Sequence, residues 1–267
     1  MSARSTLRAL PTLLRVGLAE AVAYRAEMFV WVLSTTMPFI SMALWTAVAR
    51  YEPVGDYTSE KFICYFLASF AVRQLTGSYA AWQINYEVRQ GTLAMRLLRP
   101  LSPLWAYAAE NLGGFPMRMI LVVPVVAFSA FQFGTHAVPG TAWGVLVFFL
   151  SLLGGWLITF LANVTLGALS LFTESSNRLM DVWYSLFMVC SGYLYPVKLF
   201  PPAVRGLLNG LPFRYQIGLP VELMTSAHGL EEALGLLARQ WLWVGLLLCA
   251  ALGVWKQGLK RFAAFGG

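Results

Sequence analysis

The residues best suited to chemistry lie in one polar stretch, residues 83–100, between two long apolar runs. It carries Glu87, Arg89, Arg96 and Arg99 in a chain of which only 12% is charged. Arginine side chains form bidentate ion pairs with carboxylates, so the chemistry indicated is recognition of an acidic partner rather than bond-making. A simpler interpretation stays open, in which this is a cytoplasmic loop whose arginines only set the membrane topology.

A glycine and a proline divide this stretch into parts. Gly91 allows a sharp turn that a Cβ atom hinders, and Pro100 cannot continue a helix. Leu93, Leu97 and Leu98 give the second part an apolar edge. We therefore predict two short helices at a membrane surface, with Gly91 as the hinge between them.

Composition places the chain in a membrane. Of its 267 residues, 58% are hydrophobic, and the mean hydropathy is +0.65. A soluble domain has about 25% charged residues, roughly twice the share found here. The net charge of +7 is a topology signal in a membrane protein, so we predict no nucleic-acid partner. The three cysteines fall in apolar runs without metal-binding or redox spacing.

Hydrophobic periodicity predicts an all-α membrane protein with six transmembrane helices in a single domain, residues 1–267. The predicted spans are about 20 residues long, and they cover residues 27–49, 61–82, 113–133, 142–170, 179–196 and 239–257.

Three further segments complete the predicted architecture. Leucines at helical spacing predict an amphipathic interfacial helix over residues 3–26. Residues 83–100 follow the second span, and residues 197–238 are broken by proline and glycine into short external helices, re-entrant or interfacial. Within the first span, Pro38 is expected to bend the helix. Small residues around Gly154 and Gly155 are expected to allow close helix contact.

The distribution of basic residues predicts the orientation. Eleven Lys and Arg residues fall on the side of the two termini and six on the other side. The positive-inside rule then places both termini and residues 83–100 in the cytoplasm, and residues 197–238 outside. The first 26 residues lack a continuous apolar region, so no cleavable signal peptide is predicted.

Motifs for catalysis are absent from the sequence. It contains no Walker A, GxSxG or HExxH motif, and its two histidines, His136 and His228, are far apart. Energy for any transport must therefore come from another protein or from an ion gradient. We identify Arg73 as the one ionisable residue clearly inside a span, and such a residue is a functional candidate. The alternative is that Arg73 extends to the membrane surface.

The layout resembles the permease subunit of bacterial ABC-2 type exporters. The shared features are six spans, an amphipathic first helix, a charged stretch after the second span and a Pro-rich external hairpin between the fifth and sixth spans. Short strings at residues 87–93, 97–101 and 209–215 carry the same resemblance.

This resemblance implies a non-catalytic subunit in the bacterial cytoplasmic (inner) membrane. Two cytosolic ABC ATPase subunits would bind ATP and Mg, and this chain would bind no cofactor directly. A second permease, identical or homologous, would complete the translocation path within the lipid.

The resemblance also implies three groups of site residues. Those of the cytoplasmic coupling helix, at the ATPase interface, are Glu87, Arg89, Gly91, Thr92, Leu93, Arg96, Leu97 and Arg99. Those of the translocation path are Arg73, Gln74, Tyr79, Trp82, Tyr184, Met188 and Ser191. Those of an external gate are Pro201, Pro202, Pro212, Phe213 and Tyr215. Helix packing remains the alternative role for each path residue, and a membrane anchor remains the alternative for the gate.

The sequence offers less support for two other functions. A stand-alone secondary transporter or channel needs buried acids or an inverted repeat, and the spans show neither. A membrane-embedded lipid enzyme needs an acid–histidine or metal constellation, which the sequence lacks.

Overall fold

The computed structural model describes residues 3–23, 30, 35–173 and 176–262. Their regular structure is helical, which confirms the predicted all-α class. The α-helices, numbered in chain order, are α1 (Ala3–Ala23), α2 (Met37–Ala49), α3 (Ser59–Thr76), α4 (Ala80–Arg89), α5 (Leu93–Leu97), α6 (Pro103–Gly113), α7 (Phe115–Phe133), α8 (Ala142–Ala168), α9 (Ser176–Cys190), α10 (Pro202–Gly210), α11 (Gly218–Thr225) and α12 (Leu230–Arg261). Single 3-10 turns occur at Gly134–His136, Leu169–Leu171 and Val197–Leu199.

Three helical stretches in the described part of the chain are long and apolar enough to cross a membrane. They are Pro103–Phe133, Ala142–Leu171 and Leu230–Arg261, and they contain the third, fourth and sixth predicted spans. The chain is therefore an all-helical membrane protein. The count of six spans stays a prediction.

The other predicted spans form shorter helices. Helix α2 has 13 residues because it begins at Met37; residues 27–29 and 31–34 of this span lie outside the described ranges. Pro38 occupies the first turn of α2, so the bend expected at mid-helix is wrong and the proline starts a helix instead. Helix α3 ends at Thr76, and its C-cap Gly77 separates it from α4, earlier than the predicted end at residue 82.

Helix α8 is the centre of the molecule. It packs against α3, α4, α11 and α12, and its small residues permit the close approach, as predicted. A Cβ atom at Gly155 would lie 2.8 Å from the backbone oxygen of Gln216, and one at Gly167 would lie 3.1 Å from the Cα of Ala81. Both distances are shorter than van der Waals contact, so these glycines let backbones meet directly.

Gly155→Ala is therefore expected to lower the free energy of unfolding by about 1–3 kcal/mol, because the added methyl group overpacks the contact with Gln216. The matched control is Gly245→Ala in α12, where a Cβ atom has no neighbour within 4 Å. That control should be neutral or slightly stabilising, since alanine is the better helix former. Thermal unfolding of the purified variants measures both effects, and equal melting temperatures would contradict the close packing.

The segment between α9 and α12 contains the predicted short helices, and one of them is buried. Residues 197–238 do contain short helices, α10 and α11. However, every residue from Gly218 to Met224 is buried, because α11 packs against α3 and α8. Helix α11 therefore belongs to the protein core, and its position relative to the membrane, external and re-entrant or interfacial, stays a prediction.

Candidate functional site

The polar stretch at residues 83–100 folds as two helices joined by a turn. Helix α4 ends at Arg89, helix α5 runs from Leu93 to Leu97, and Gly91 between them has φ of 72°. That backbone conformation is strained for residues with a Cβ atom. The predicted glycine hinge is confirmed.

An ion-pair network fixes this turn onto α6. The Arg96 Nη2 atom lies 2.8 Å from Oε1 of Glu87, and its Nη1 atom lies 2.7 Å from Oε1 of Glu110. The Tyr107 hydroxyl donates to Oε2 of Glu87 at 2.6 Å, and the Arg96 guanidinium lies over the Tyr107 ring, 4.6 Å from its centroid. The Gln83 amide donates to Glu110 from α4. One arginine thus joins α4, α5 and α6, and we call these five residues the Arg96 network.

The Arg96 network is largely shielded from solvent. The side chains of Arg96, Glu87 and Glu110 are 16%, 12% and 12% exposed. Burial disfavours the charged guanidinium, but hydrogen bonds from Arg96 to Glu110 and Glu87 outweigh it and raise the pKa of Arg96. The arginine therefore stays charged, and two carboxylates depend on it for compensation.

The predicted interface residues divide into an inner and an outer set. Glu87 and Arg96 belong to the Arg96 network, and Leu93 is fully buried. Leu97 packs against the buried hydrophobic cluster to which Leu93 belongs. The predicted apolar anchor at Leu93 and Leu97 is thus corrected, since the helix turns this edge towards the protein.

The outer set faces away from the protein. Met95 and Leu98 are 67% and 80% exposed. Leu98 belongs to the predicted apolar edge, whereas Met95 was not predicted. Arg89, Thr92 and Arg99 are exposed as well. We call the exposed residues Arg89, Thr92, Met95, Leu98 and Arg99 the outer surface of the turn. This surface combines apolar and cationic groups on a turn that the Arg96 network holds against α6.

The turn is connected to the membrane-crossing stretches. Helix α6 leads into α7 through Gly114, and Tyr107 of α6 meets Trp255 of α12 edge to face, with ring centroids 6.3 Å apart. Helix α1 packs on α6 at Gly113, where a Cβ atom would lie 2.5 Å from the carbonyl carbon of Gly17. The turn is therefore connected through α6 to α1, α7 and α12. Residues 24–26 of the predicted first helix lie outside the described ranges.

The predicted path residues occupy several environments. Arg73 lies over the ring of Phe187, 5.1 Å from its centroid, and the Tyr184 hydroxyl donates to Asn163 at 3.2 Å. Gln74 and Ser191 are buried, Met188 is half-buried, and Trp82 is 51% exposed. Tyr79 donates to the backbone oxygen of Glu110 at 3.1 Å.

Arg118 was missed by the sequence reasoning, although the sequence shows it inside the third predicted span. The statement that Arg73 is the one ionisable residue inside a span is therefore wrong. Of the 19 Lys and Arg residues, 17 lie outside the predicted spans or at their ends and determine the predicted orientation. The other two, Arg73 and Arg118, lie inside predicted spans. Arg118 is 9% exposed and donates to the backbone oxygens of Gln74 and Gly77.

The predicted gate residues lie mostly inside the protein. Pro201 and Pro202 begin α10, followed in the chain by Pro212. Phe213 and Tyr215 are 5% and 0% exposed, and Tyr215 donates to the backbone oxygen of Asn209 at 2.7 Å. Between them in the chain, Arg214 forms a buried ion pair with Glu222, Nη2 to Oε2, at 2.7 Å. The surface part of this segment is α10, where Leu207 is 65% exposed.

Comparison with known proteins supports one assignment. No curated protein matches the chain significantly. The family model described as ABC-2 family transporter protein matches residues 32–266, which covers nearly all of the helices described above. The chain belongs to the ABC-2 family of transporter proteins.

Proposed function

We propose that this chain is the permease subunit of an ATP-driven ABC-2 type exporter. It forms the translocation path with a second permease, identical or homologous, and ABC ATPase subunits dock on its cytosolic side. ATP and Mg are bound and ATP is hydrolysed in those partners. The observation that carries the proposal is the outer surface of the turn, an apolar and cationic surface held on a buried ion-pair network.

The geometry suits transmission of force. A partner that moves α5 pulls on Arg96, and Arg96 is tied to α4 through Glu87 and to α6 through Glu110. Helix α6 is the first part of the crossing stretch Pro103–Phe133, and α7 is the rest of it. A push on the turn therefore becomes a tilt of that stretch rather than a local rearrangement.

The proposed orientation places both termini and the turn on the cytoplasmic face of the inner membrane, with six spans. Burial of the Arg214–Glu222 pair supports it, because Arg214 no longer counts among the six basic residues on the opposite side. Residues 197–210 then lie outside, where α10 covers the exit of the path.

If the ATPase docks on the outer surface of the turn, a negative charge placed there should weaken its binding. The purified chain is expected to hydrolyse no ATP by itself and to copurify with an ABC ATPase encoded in a neighbouring reading frame. Leu98→Asp should reduce this copurification at least about tenfold, because a carboxylate is placed on an apolar contact.

The control for this experiment is Leu207→Asp, at a comparably exposed leucine of α10. It should copurify with the ATPase like the unmodified chain, since α10 lies on the other side of the membrane. Loss of the ATPase from Leu207→Asp but not from Leu98→Asp would overturn both the docking surface and the orientation. ATP-independent transport by the chain alone, driven by an ion gradient, would point instead to a secondary carrier.

A further inference from the structure

Two arginines meet where α3 breaks. Arg118, near the start of α7, donates from its Nη1 atom to the backbone oxygens of Gln74 at 3.1 Å and Gly77 at 3.2 Å. Arg73 lies in the last turn of α3 itself. A Cβ atom at Gly77 would lie 3.4 Å from Nη1 of Arg73 and 4.0 Å from Nη1 of Arg118. Both guanidinium groups therefore lie beside Gly77, whose lack of a side chain lets them approach the same point.

Aromatic side chains hold Arg73 in this position. Its guanidinium lies over the ring of Phe187, and it is within electrostatic reach of the hydroxyls of Tyr184 and Tyr193. Arg73 likewise acts electrostatically on Arg118, so two like charges are kept together.

No carboxylate compensates this pair within the part of the chain that the structure describes. The ion pairs there belong to Arg96 and Arg214. The C-terminal end of α3 supplies about half a negative charge, against two positive ones. Gln74, on the same turn of α3, has a buried side-chain amide nitrogen without a partner among the described residues. Cations inside a span are costly, so a pair of them without a carboxylate partner indicates a functional site.

We propose that Arg73 and Arg118 form a binding site for the anionic head group of an amphipathic molecule, a phosphate or a carboxylate. Each guanidinium presents several donors in one plane, and these match the oxygens of such groups. The hydrogen bonds from Arg118 to the backbone at the end of α3 use only its Nη1 atom. The other N–H donors of its guanidinium group are therefore left for a ligand. Beside Arg73, Phe187 is buried and Tyr184 is half-buried, so Tyr184 is the residue that offers surface to the chain carrying the head group.

Lipid binding to the full-length purified chain tests the site without any ATPase. Native mass spectrometry in detergent compares phosphatidylglycerol, which is anionic, with phosphatidylcholine, which is zwitterionic. The unmodified chain is expected to prefer phosphatidylglycerol, and Arg73→Gln should weaken phosphatidylglycerol binding about tenfold. Arg50→Gln, at an exposed arginine after α2, is the matched control and should leave the preference unchanged. Arg73→Lys keeps the charge and should lose less.

The variants also separate a binding role from a structural one. Arg73→Gln removes no contact to the backbone of α3, so its melting temperature should stay close to that of the unmodified chain. If the chain shows no preference for phosphatidylglycerol, or if Arg73→Gln keeps that preference intact, the proposal is wrong.

A second arm distinguishes cargo from resident lipid, and this arm rests on the proposed function. The chain is reconstituted with its ATPase, and dodecyl phosphate is compared with dodecylphosphocholine as a stimulator of ATP hydrolysis. Stimulation by dodecyl phosphate that Arg73→Gln abolishes identifies the ligand as cargo. Charge-selective lipid binding without such stimulation identifies it as a bound lipid. Both results support the anion site, whereas stimulation that is equal for the two compounds and unaffected by Arg73→Gln contradicts it.

Discussion

Replacing Arg96 by leucine is expected to lower the free energy of unfolding by about 3 kcal/mol. This is the lower end of the range for a broken buried ion pair, because the partners retain slight exposure. The cost arises because Glu87 and Glu110 lose their shared cation inside the protein. Denaturant or thermal unfolding of the purified chain measures the change.

Arg99→Leu is the control for this experiment, since Arg99 is exposed and lies three residues along the same turn. It should change stability by no more than about 0.5 kcal/mol, as is usual for surface positions. In the copurification assay, however, both variants should lose the ATPase, Arg96→Leu through misplacement of α5 and Arg99→Leu through the contact itself. Equal stability of the two variants would show that the Arg96 network does not brace the turn.

Glu222→Gln is expected to destabilise the protein by about 3–5 kcal/mol, because it leaves the Arg214 charge buried and unpaired. The two side chains are 0% and 7% exposed, and Oε1 of Glu222 already lacks a partner among the described residues. Glu231→Gln, at an exposed acid in the first turn of α12, should cost no more than about 1 kcal/mol.

The size of this effect distinguishes two placements of α11. A solvated external hairpin would hold a surface ion pair, which contributes only about 0–1 kcal/mol. A loss in that range for Glu222→Gln would favour a solvated, interfacial position of α11 over burial in the core. A large loss, rescued in part by replacing Arg214 with methionine in the same chain, supports burial in the core.

Local chemistry made part of this structure predictable. The hinge at Gly91 follows from the freedom of glycine, and the close contacts of α8 follow from its small residues. The short helices of residues 197–238 follow from prolines that stop longer ones. Each of these features depends on neighbours in the chain, so the sequence displays it directly.

Features that depend on distant parts of the chain were not predictable in the same way. Glu110 lies on α6, and no spacing rule connects it with Arg96 on α5. The inward direction of Leu93, and hence the exposure of Leu98, depends on how α5 packs. The burial of α11 against α3 and α8 also depends on distant contacts, which the proline and glycine pattern of its segment does not show. Arg118 was visible in the sequence and was overlooked.

Photo-crosslinking from α5 tests whether this turn contacts the ATPase. A benzophenone amino acid replaces Met95, which is 67% exposed on the outer surface of the turn, and a second protein carries it at Leu207 on α10. The proposed function predicts that cells coexpressing the ATPase yield a covalent permease–ATPase adduct from position 95 and none from position 207. An adduct from position 207 together with none from position 95 would contradict the assignment of this turn as the coupling site.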